Sequence, residues 1–420
     1  MRIRATRSDA GEGTALDRAI GRVVAEGNCS GCGACTLLDS GLTMRIDESG
    51  YSRPSRVDHG VAVDGALDTF RRACPGVIVR AQDAAGSRRH PTMGPVVQAW
   101  AAWAADPEIR RQGSSGGTIT ALAAWLLESG EAARVIGAQA ETGNPRRTVS
   151  VAIMTRDEAL ASAGSRYAPV SIAANPLVLA AGSAVVGKPC EASALRAMQA
   201  PASPEAESPL LLSFYCAGTP SQSATDSLVT ALGVRQGGVL RDLWYRGRGW
   251  PGRFTAVTSE GSEHSASYDE SWGDHLGPTV QWRCKICPDG VGESSDITAA
   301  DFWRSDERGY PDFTEGDGVS ALIARTVRGR DVIARAIAAG ILVAEPLSID
   351  DLDAVQPLQR KRRQTLAGRL AGARAAGIRP PRYVGFGLLG FAAGRLGLIV
   401  RTARGTYSRV RADRTRSQRP

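Results

Sequence analysis

The sequence predicts an α/β protein (α+β overall) whose body is built on a mainly parallel sheet. Apolar runs of strand length alternate with helical patterns between residues 95 and 232, for example at 183–186 and then 192–197. Residues 118–129 and 224–232 have helical spacing, and Gly130 ends the first of these helices. Alternating strands and helices favour parallel pairing through right-handed crossovers. Ligands of such sheets bind at the carboxyl ends of the strands.

Composition indicates a globular protein in a reducing compartment. Hydrophobic residues make up 43% and charged residues 22% of the 420 residues, as in ordinary folded domains. The N-terminus lacks the apolar core of a secretory signal, which predicts a cytoplasmic location. There, the eight cysteines are more often metal ligands or redox groups than structural disulfides. Because the chain has only four histidines, its metal sites should be mostly thiolate.

A first group of cysteines has the spacing of an iron–sulfur ligand set. Cys29, Cys32 and Cys35 fit the pattern C-x2-C-x2-C. Three thiolates this close suit three corners of a [4Fe–4S] cube, and the fourth ligand is commonly a distant Cys followed by Pro. Cys74 precedes Pro75 and fits that position. Structural zinc is usually held by two C-x2-C pairs, so the run favours a cluster over zinc.

A second group of cysteines allows several interpretations. Cys284 and Cys287 form a C-x2-C pair, which zinc sites, redox dithiols and clusters share. Cys190 lies at a predicted helix start, which favours a thiolate. Cys190 or Cys216 alone could also be a small buried hydrophobe. All four together could close one four-thiolate site at the strand ends.

Five motifs occur in a specific order along the chain. They are Ser-Ser-Gly-Gly at 114–117, Gly-x-Pro-Cys at 187–190, Phe-x-Cys-x-Gly-x-Pro at 214–220, Cys-x-x-Cys-x-Asp at 284–289 and Ala-Asp-x-Trp at 300–303. From about residue 29 to about residue 345 the chain resembles the beta subunit family of coenzyme F420 hydrogenases and dehydrogenases. That family includes 7-hydroxymethyl chlorophyll a reductase.

The resemblance implies FAD and two [4Fe–4S] clusters, with electrons passing through the flavin to an organic hydride acceptor. Carried over by motif, the ligands are Cys190, Cys216, Cys284 and Cys287 for the family's core cluster, and Cys29, Cys32, Cys35 and Cys74 for a ferredoxin-like one. The chain departs from the family at Lys188, at Glu191 and in lacking a His after Cys216. These departures leave the substrate open.

Three short segments are candidates for binding the flavin. The first is the turn of Ser114, Ser115, Gly116 and Gly117. It opens a predicted helix, whose amides and dipole favour phosphate, although an ordinary N-cap has the same pattern. Arg166 could bind a phosphate or carboxylate and Tyr167 could stack on a ring, unless both lie in a solvated loop. Lys188, the predicted catalytic residue, would stabilise the anion of a reduced flavin, unless it is exposed.

The C-terminal segment is strongly basic and contains an apolar island at residues 383–400. Residues 360–420 carry a net charge of +15, which leaves −7 for the rest. The island has eighteen residues, including Arg395 and five glycines, and is marginal for a membrane span. A peripheral membrane contact or a docked helix is favoured over spanning, and disorder is a further alternative. Without a recognition motif, nucleic-acid binding is not predicted.

The predicted organisation has four parts. They are a ferredoxin-like [4Fe–4S] segment at 1–90, an α/β flavin-binding domain at 91–235, the C-terminal part of the catalytic body with the C-x2-C pair at 236–358, and the basic tail at 359–420. The predicted function is an iron–sulfur flavoprotein oxidoreductase with a ferredoxin-like or deazaflavin electron partner and a small-molecule substrate. The alternatives are an electron-transfer subunit without its own substrate and a zinc-stabilised binding protein.

Overall fold

The computed structural model describes residues 13–199, 208–302 and 314–417. Its strands are β1 (Leu42–Ile46), β2 (Ser52–Arg56), β3 (Ile78–Arg80), β4 (Arg88–His90), β5 (Gly94–Val96), β6 (Gln98–Ala104), β7 (Arg134–Glu141), β8 (Asn144–Ile153), β9 (Ser183–Gly187), β10 (Leu210–Phe214), β11 (Leu240–Trp244), β12 (Phe254–Thr258), β13 (Glu263–Ala266), β14 (Ile297–Asp301), β15 (Ser320–Ala324), β16 (Leu342–Pro346) and β17 (Arg382–Val384). Its α-helices are α1 (Ala15–Ala25), α2 (Ala66–Ala73), α3 (Pro107–Gln112), α4 (Thr118–Glu128), α5 (Arg156–Ala161), α6 (Pro189–Met198), α7 (Gln222–Ala231), α8 (Trp282–Lys285), α9 (Val327–Ala338), α10 (Ile349–Ala354), α11 (Pro357–Ala375), α12 (Leu388–Ala392) and α13 (Leu396–Ser417).

The largest sheet within these ranges has eight strands in the order β16-β6-β15-β14-β10-β9-β7-β8. The four neighbours β14, β10, β9 and β7 are parallel, whereas β15, β6, β16 and β8 pair antiparallel. The α/β class is confirmed, but the sheet is mixed rather than mainly parallel. One reason is the connection from β7 to β8: only Thr142 and Gly143 separate the two strands, and a parallel crossover needs a dozen or more residues.

The carboxyl ends of five strands, β6, β14, β10, β9 and β7, lie at one edge of this sheet. Two antiparallel steps, through β15, make β6 run in the same direction as β14, β10 and β9. Cys190 lies in the first turn of α6 directly after β9, and Cys216 follows β10 by two residues. The 114–117 turn follows β6 through the short helix α3. All three lie at one edge, as the topology predicts, but three strand spacings of about 4.8 Å separate β6 from β10.

Helices cover both faces of the sheet, which buries its strands. The helix predicted at 118–129 is confirmed as α4, and with α9 it packs on one face, around Leu122 and Ile333. α6 and residues 172–179 cover the other face, around Val185 and Leu195. Burial on both faces explains why these strands are almost continuously apolar.

The two ends of the described chain pack together instead of extending from the body. β17 pairs in parallel with β3, and Leu366 and Leu370 of α11 are buried against Ile286. The boundary predicted at 358/359 falls inside α11. Of the alternatives predicted for the basic segment, the docked helix is the arrangement that forms. Of the helices described, none combines the length and the apolar character needed to cross a membrane.

Candidate redox site

The first four cysteines surround a cavity in the N-terminal segment. Cys29, Cys32, Cys35 and Cys74 line it together with apolar side chains of α1, α2 and α6, among them Ile20, Phe70 and Met198. All four are free thiols, and none is exposed. The C-x2-C-x2-C run and the distant Cys-Pro thus come together as the spacing predicts.

Backbone amides point at these sulfurs. The N–H groups of Gly31, Ala34 and Gly76 donate to the thiols of Cys29, Cys32 and Cys74, each lying two residues further along the chain. Burial raises the pKa of all four thiols, that of Cys32 to about 11. Thiols this deeply buried ionise when a cation binds them, and amide donors to sulfur are what iron–sulfur sites use to set their potentials. The residues fit a four-thiolate cluster.

Gly33 allows the cysteine loop to pass against the body of the protein. Its φ is +91°, and an added Cβ would lie 2.7 Å from Ala174 Cβ and 2.8 Å from Ala174 N. The Ala173 amide also donates to Cys32 O at 3.1 Å. A side chain at position 33 would therefore push the loop off residues 173–174.

We expect Gly33→Ala to lower the free energy of unfolding by about 2–5 kcal/mol, since left-handed strain of about 1–2 kcal/mol adds to an overpacking cost of about 1–3 kcal/mol. Gly130→Ala is the matched control, because Gly130 has φ +74° but open space around its Cβ. Urea unfolding of both variants measures the difference. Equal costs for the two would show that the contact with Ala174 is unimportant.

The second four cysteines converge at the carboxyl edge of the sheet. Burial, together with the charges of Cys284 and Cys287, raises the pKa of Cys216 to about 12. A Cβ on Gly218 would lie 3.1 Å from Cys284 Cβ, so the chain after Cys216 passes directly beside α8. The Cys216 amide donates to Gly290 O at 2.9 Å, which ties the strand end to the loop after Cys287.

Cys190 completes this group at the start of α6. Burial raises the pKa of the Cys190 thiol well above its usual range, and the charge of Glu191 raises it further against the effect of Lys188. The charges of Cys32 and Cys216 also act on it. Cys190 therefore lies between the two groups of cysteines. Burial thus opposes the helix start, which favours a thiolate, and the thiolate at Cys190 stays a prediction.

Neither group is gathered tightly around one point. In the ranges the structure describes, no three His, Cys, Asp or Glu side chains are close enough to hold a single metal ion. A zinc ion needs its thiolates within bonding distances of about 2.3 Å of one centre. A cube does not, because each thiolate binds a different iron.

Lys188 is buried in an ion pair and is not exposed. Its Nζ donates to Glu191 Oε1 at 2.6 Å and to Val170 O at 2.7 Å. Glu191 also accepts from the amides of Lys188 and Ile172, at 2.7 and 2.9 Å. Burial lowers the pKa of Lys188, but the charge and hydrogen bond of Glu191 and the charges of Cys190 and Cys216 together outweigh burial and raise it. Lys188 is thus a cation held between Cys190 and the segment that contacts the first cysteine loop.

Arg283 is a second buried cation between the two groups. It precedes Cys284, is 2% exposed, and its Nη2 donates to Pro75 O at 2.9 Å, next to Cys74. Its Nε has no hydrogen-bond partner among the described residues. Burial lowers the pKa of Arg283, but Tyr383 and three thiols of the second group outweigh it and raise the pKa. Arg283 also lowers the pKa of Cys29 and Cys74 against burial.

The predicted flavin turn is held mostly by internal contacts. Ser114 Oγ lies 2.7 Å from Ser165 Oγ, and Ser115 Oγ donates to Val319 O at 2.8 Å. What remains for an anion is the start of α4, whose N-cap Gly117 provides no capping side chain, and the buried Thr118 Oγ1, which has no partner among the described residues. This helix start fits a phosphate in part.

Arg166 and Tyr167 lie in packed surroundings and not in a solvated loop. The Arg166 guanidinium donates to Thr148 Oγ1 at 2.8 Å and to the carbonyls of Leu243 and Pro145 at 2.9 and 2.7 Å. Binding an anion there would require these bonds to break. Tyr167 makes edge contacts with Tyr245 and Trp272, with ring centroids 6.0 and 5.0 Å apart.

Residues that the sequence did not single out join the two predicted flavin segments. Arg246 is 2% exposed; its Nη1 lies 2.7 Å from Asp301 Oδ2, and its Nη2 donates to Ser114 O. The Ser165 amide donates to Arg246 O at 3.2 Å. Asp301 was detectable in the Ala-Asp-x-Trp motif, but Arg246 has no local signal, because only the fold brings it to this edge.

Comparison with known proteins gives three matches. Family models for the coenzyme F420 hydrogenase/dehydrogenase beta subunit match residues 99–175 with the N-terminal part and residues 181–350 with the C-terminal part. The coenzyme F420 hydrogenase subunit beta of Methanothermobacter thermautotrophicus is 26% identical over 290 residues, which is 66% of this chain and 94% of that relative. A chain of the F420-reducing [NiFe] hydrogenase complex of Methanosarcina barkeri aligns with a TM-score of 0.50 and 22% identity, over 66% of this chain and 91% of that one.

The mixed α/β fold agrees with these matches, and the matches support an oxidoreductase role for the protein. The chain belongs to the coenzyme F420 hydrogenase/dehydrogenase beta subunit family, whose two models together cover more than half of it. The first cysteine group and helices α11–α13 lie outside the two matched ranges.

Proposed function

We propose that this protein is an iron–sulfur flavoprotein oxidoreductase with two [4Fe–4S] clusters and FAD. It exchanges electrons between the clusters and a deazaflavin (coenzyme F420) or another small organic hydride carrier, with a ferredoxin-like protein as the alternative electron partner. The family membership and the relative's name support the deazaflavin. The predicted cytoplasmic location with a peripheral membrane contact is a separate proposal, and the surface that would make the contact is described in the next subsection.

The observation that carries this proposal is the placement of Arg283 among the thiols. An arginine remains charged when buried, and a buried charge without an opposite charge is strongly destabilising. Among the residues described, the nearby groups that can supply negative charge are the thiols of both cysteine groups and Tyr383. Two four-thiolate clusters are anions and would balance it.

Bound FAD would supply the exchange between two-electron hydride chemistry and the one-electron steps of the clusters. The chain's own groups have defined tasks around it. The start of α4, with Ser114, Ser115, Gly116 and Gly117, would bind the pyrophosphate, and Tyr167 and Arg166 lie on the neighbouring segment. Lys188 keeps a positive charge at the carboxyl edge, where it would stabilise added negative charge. Lys188 is buried, whereas Ser114, Ser115, Arg166 and Tyr167 are partly exposed, which leaves room for a ligand to reach them.

Anaerobic purification with measurement of iron, sulfide and flavin tests the proposal. We expect about eight irons per chain together with FAD, and reduction of the protein by reduced coenzyme F420. Zinc without flavin would overturn the proposal and support a zinc-stabilised binding protein. Eight irons and FAD without reaction with reduced F420 would retain the redox centres and reject this donor.

Removal of the charge at position 283 should make cluster reduction harder. A positive charge near a cluster favours the added electron. Arg283→Met should therefore make the one-electron reduction of a cluster less favourable by on the order of 1–2 kcal/mol, at an effective dielectric constant of about 20. The reduction potentials of the clusters should fall accordingly. Arg283→Lys keeps the charge and is the matched control. Anaerobic redox titration followed by electron paramagnetic resonance measures both. Equal potentials in the two variants would show that the charge of Arg283 does not act on the clusters.

The second candidate is an electron-transfer subunit that has no substrate of its own. It is favoured by the relatives, which are described as a subunit of a hydrogenase and as part of a hydrogenase complex. Turnover by the isolated chain with reduced F420 and an artificial acceptor supports the first candidate. Activity that appears only after a copurified partner is added supports the second.

A further inference from the structure

The C-terminal helix α13 has two faces of different character. The inner face, with Ile399, Ala403, Thr406 and Val410 at helical spacing, packs on α11. The helices approach closely because α11 has glycines there: a Cβ on Gly372 would lie 2.2 Å from Ala403 O. The helix is therefore docked on the body, which fixes the orientation of its exposed faces.

An exposed face of α13, turned by about 90° from the inner face, combines apolar and basic side chains. It consists of Leu396, Val400, Arg404, Tyr407 and Arg411, which recur at intervals of three and four residues and are all exposed. Leu389 of the neighbouring α12 is 85% exposed, and Leu396 and Val400 are 74% and 49% exposed. We name Leu389, Leu396 and Val400 the apolar tip.

The charge that residues 360–412 contribute around the apolar tip has one sign. Arg395, Arg401 and Arg404 are exposed beside it, and the sequence has no Asp or Glu between residues 360 and 412. A second copy of this surface would be repelled. A protein partner would need opposite charges placed to match each arginine, whereas an anionic lipid surface attracts the summed charge and accepts protruding apolar side chains in any register.

We propose that the apolar tip and its arginines bind the surface of a membrane that contains anionic phospholipids. The helices lie on the surface: Leu389, Leu396 and Val400 enter the boundary between headgroups and acyl chains, and the arginines contact lipid phosphates. This inference does not depend on the clusters or the flavin, because the surface lies outside the cysteine groups and outside the matched family ranges.

Sedimentation of the full-length, anaerobically purified protein with vesicles tests the proposal. The probes are two kinds of phosphatidylcholine vesicle. One contains roughly 30 mol% of the anionic lipid phosphatidylglycerol, and the other contains none. We expect binding to the anionic vesicles that weakens at high salt, and little binding to neutral ones. No binding to anionic vesicles, or equal binding to both kinds, would overturn the proposal.

Two pairs of variants separate the apolar and the electrostatic contributions. Leu389→Gln/Leu396→Gln should weaken binding about tenfold or more, while Val61→Gln/Val239→Gln, which changes side chains 79% and 67% exposed elsewhere, should leave it unchanged.

The second pair of variants tests the electrostatic contribution in the same way. Arg395→Gln/Arg401→Gln/Arg404→Gln should weaken binding about a hundredfold, because each surface cation contributes about fivefold. The control Arg22→Gln/Arg71→Gln/Arg72→Gln removes the same charge from exposed positions on α1 and α2 and should have little effect. If either control weakens binding as much as its partner, the apolar tip is not the contact and the proposal fails.

Discussion

Replacing Glu191 by glutamine should lower the free energy of unfolding by about 3–5 kcal/mol, because the change leaves Lys188 as a buried charge without its partner. Glu191 is 0% and Lys188 7% exposed, and their side chains meet at 2.6 Å. The glutamine amide has only one accepting oxygen, so it can keep only one of the two hydrogen bonds that the carboxylate oxygens now receive from backbone amides. Urea unfolding under anaerobic conditions measures the loss.

The surface ion pair of Arg335 with Glu131 is the matched control. Its atoms are 2.7 Å apart, but the two side chains are 53% and 26% exposed. Glu131→Gln should therefore cost less than about 1 kcal/mol. The double variant Lys188→Met/Glu191→Gln should recover part of the loss, because it removes the unpaired charge. A cost at Glu191 as small as that at Glu131 would contradict the description of a buried pair.

The sequence predicted the elements whose pattern is local. The helix at 118–129, the strand and helix around Cys190, and the grouping of Cys29, Cys32 and Cys35 all depend on spacings within short segments, and Cys74 was found by the Pro that follows it. Helix periodicity and ligand spacing carry this information directly. The same holds for the placement of Cys190 and Cys216 at one sheet edge, since strand direction follows from the order of strands and helices.

Features that depend on long-range packing could not be predicted in this way. The sequence pattern of β15 and β16 does not predict that these strands pair antiparallel to β14 and β6. An apolar strand can pair with its neighbour in either direction. Lys188 and Glu191 were noted as departures from the family, but their pairing three residues apart in a buried first turn was not predicted. The basic segment was predicted as a separate tail because charge patterns do not show which arginines are buried.

Arg362 illustrates how far the basic segment is integrated into the site. It is 8% exposed, and its Nη1 and Nη2 donate to Cys216 O and Ala217 O at 3.1 and 3.0 Å. Its charge also lowers the pKa of Cys216, opposing the larger effect of burial. A residue of α11 therefore fixes the backbone of a predicted cluster ligand, although the two are 146 residues apart in sequence.

Because of these contacts, Cys216→Ser can test whether the two cysteine groups bind separate clusters. The Cys216 backbone is held on both sides, by Arg362 and by Gly290, so the exchange of sulfur for oxygen should leave the fold in place. We expect the variant to lose about four of about eight irons, because serine is a poor ligand for iron in a four-thiolate cluster. Circular dichroism should remain that of the parent protein.

Cys32→Ser is the counterpart in the first group, and each variant is the control for the other. It should also lose about four irons, but the remaining electron paramagnetic resonance signal should be the one that Cys216→Ser removes. The double variant should retain almost no iron. If either single variant kept all its iron, its cysteine would not be a ligand. If either lost all of it, the two groups would not form separate clusters, and Cys190, placed between Cys32 and Cys216, would belong to one shared site.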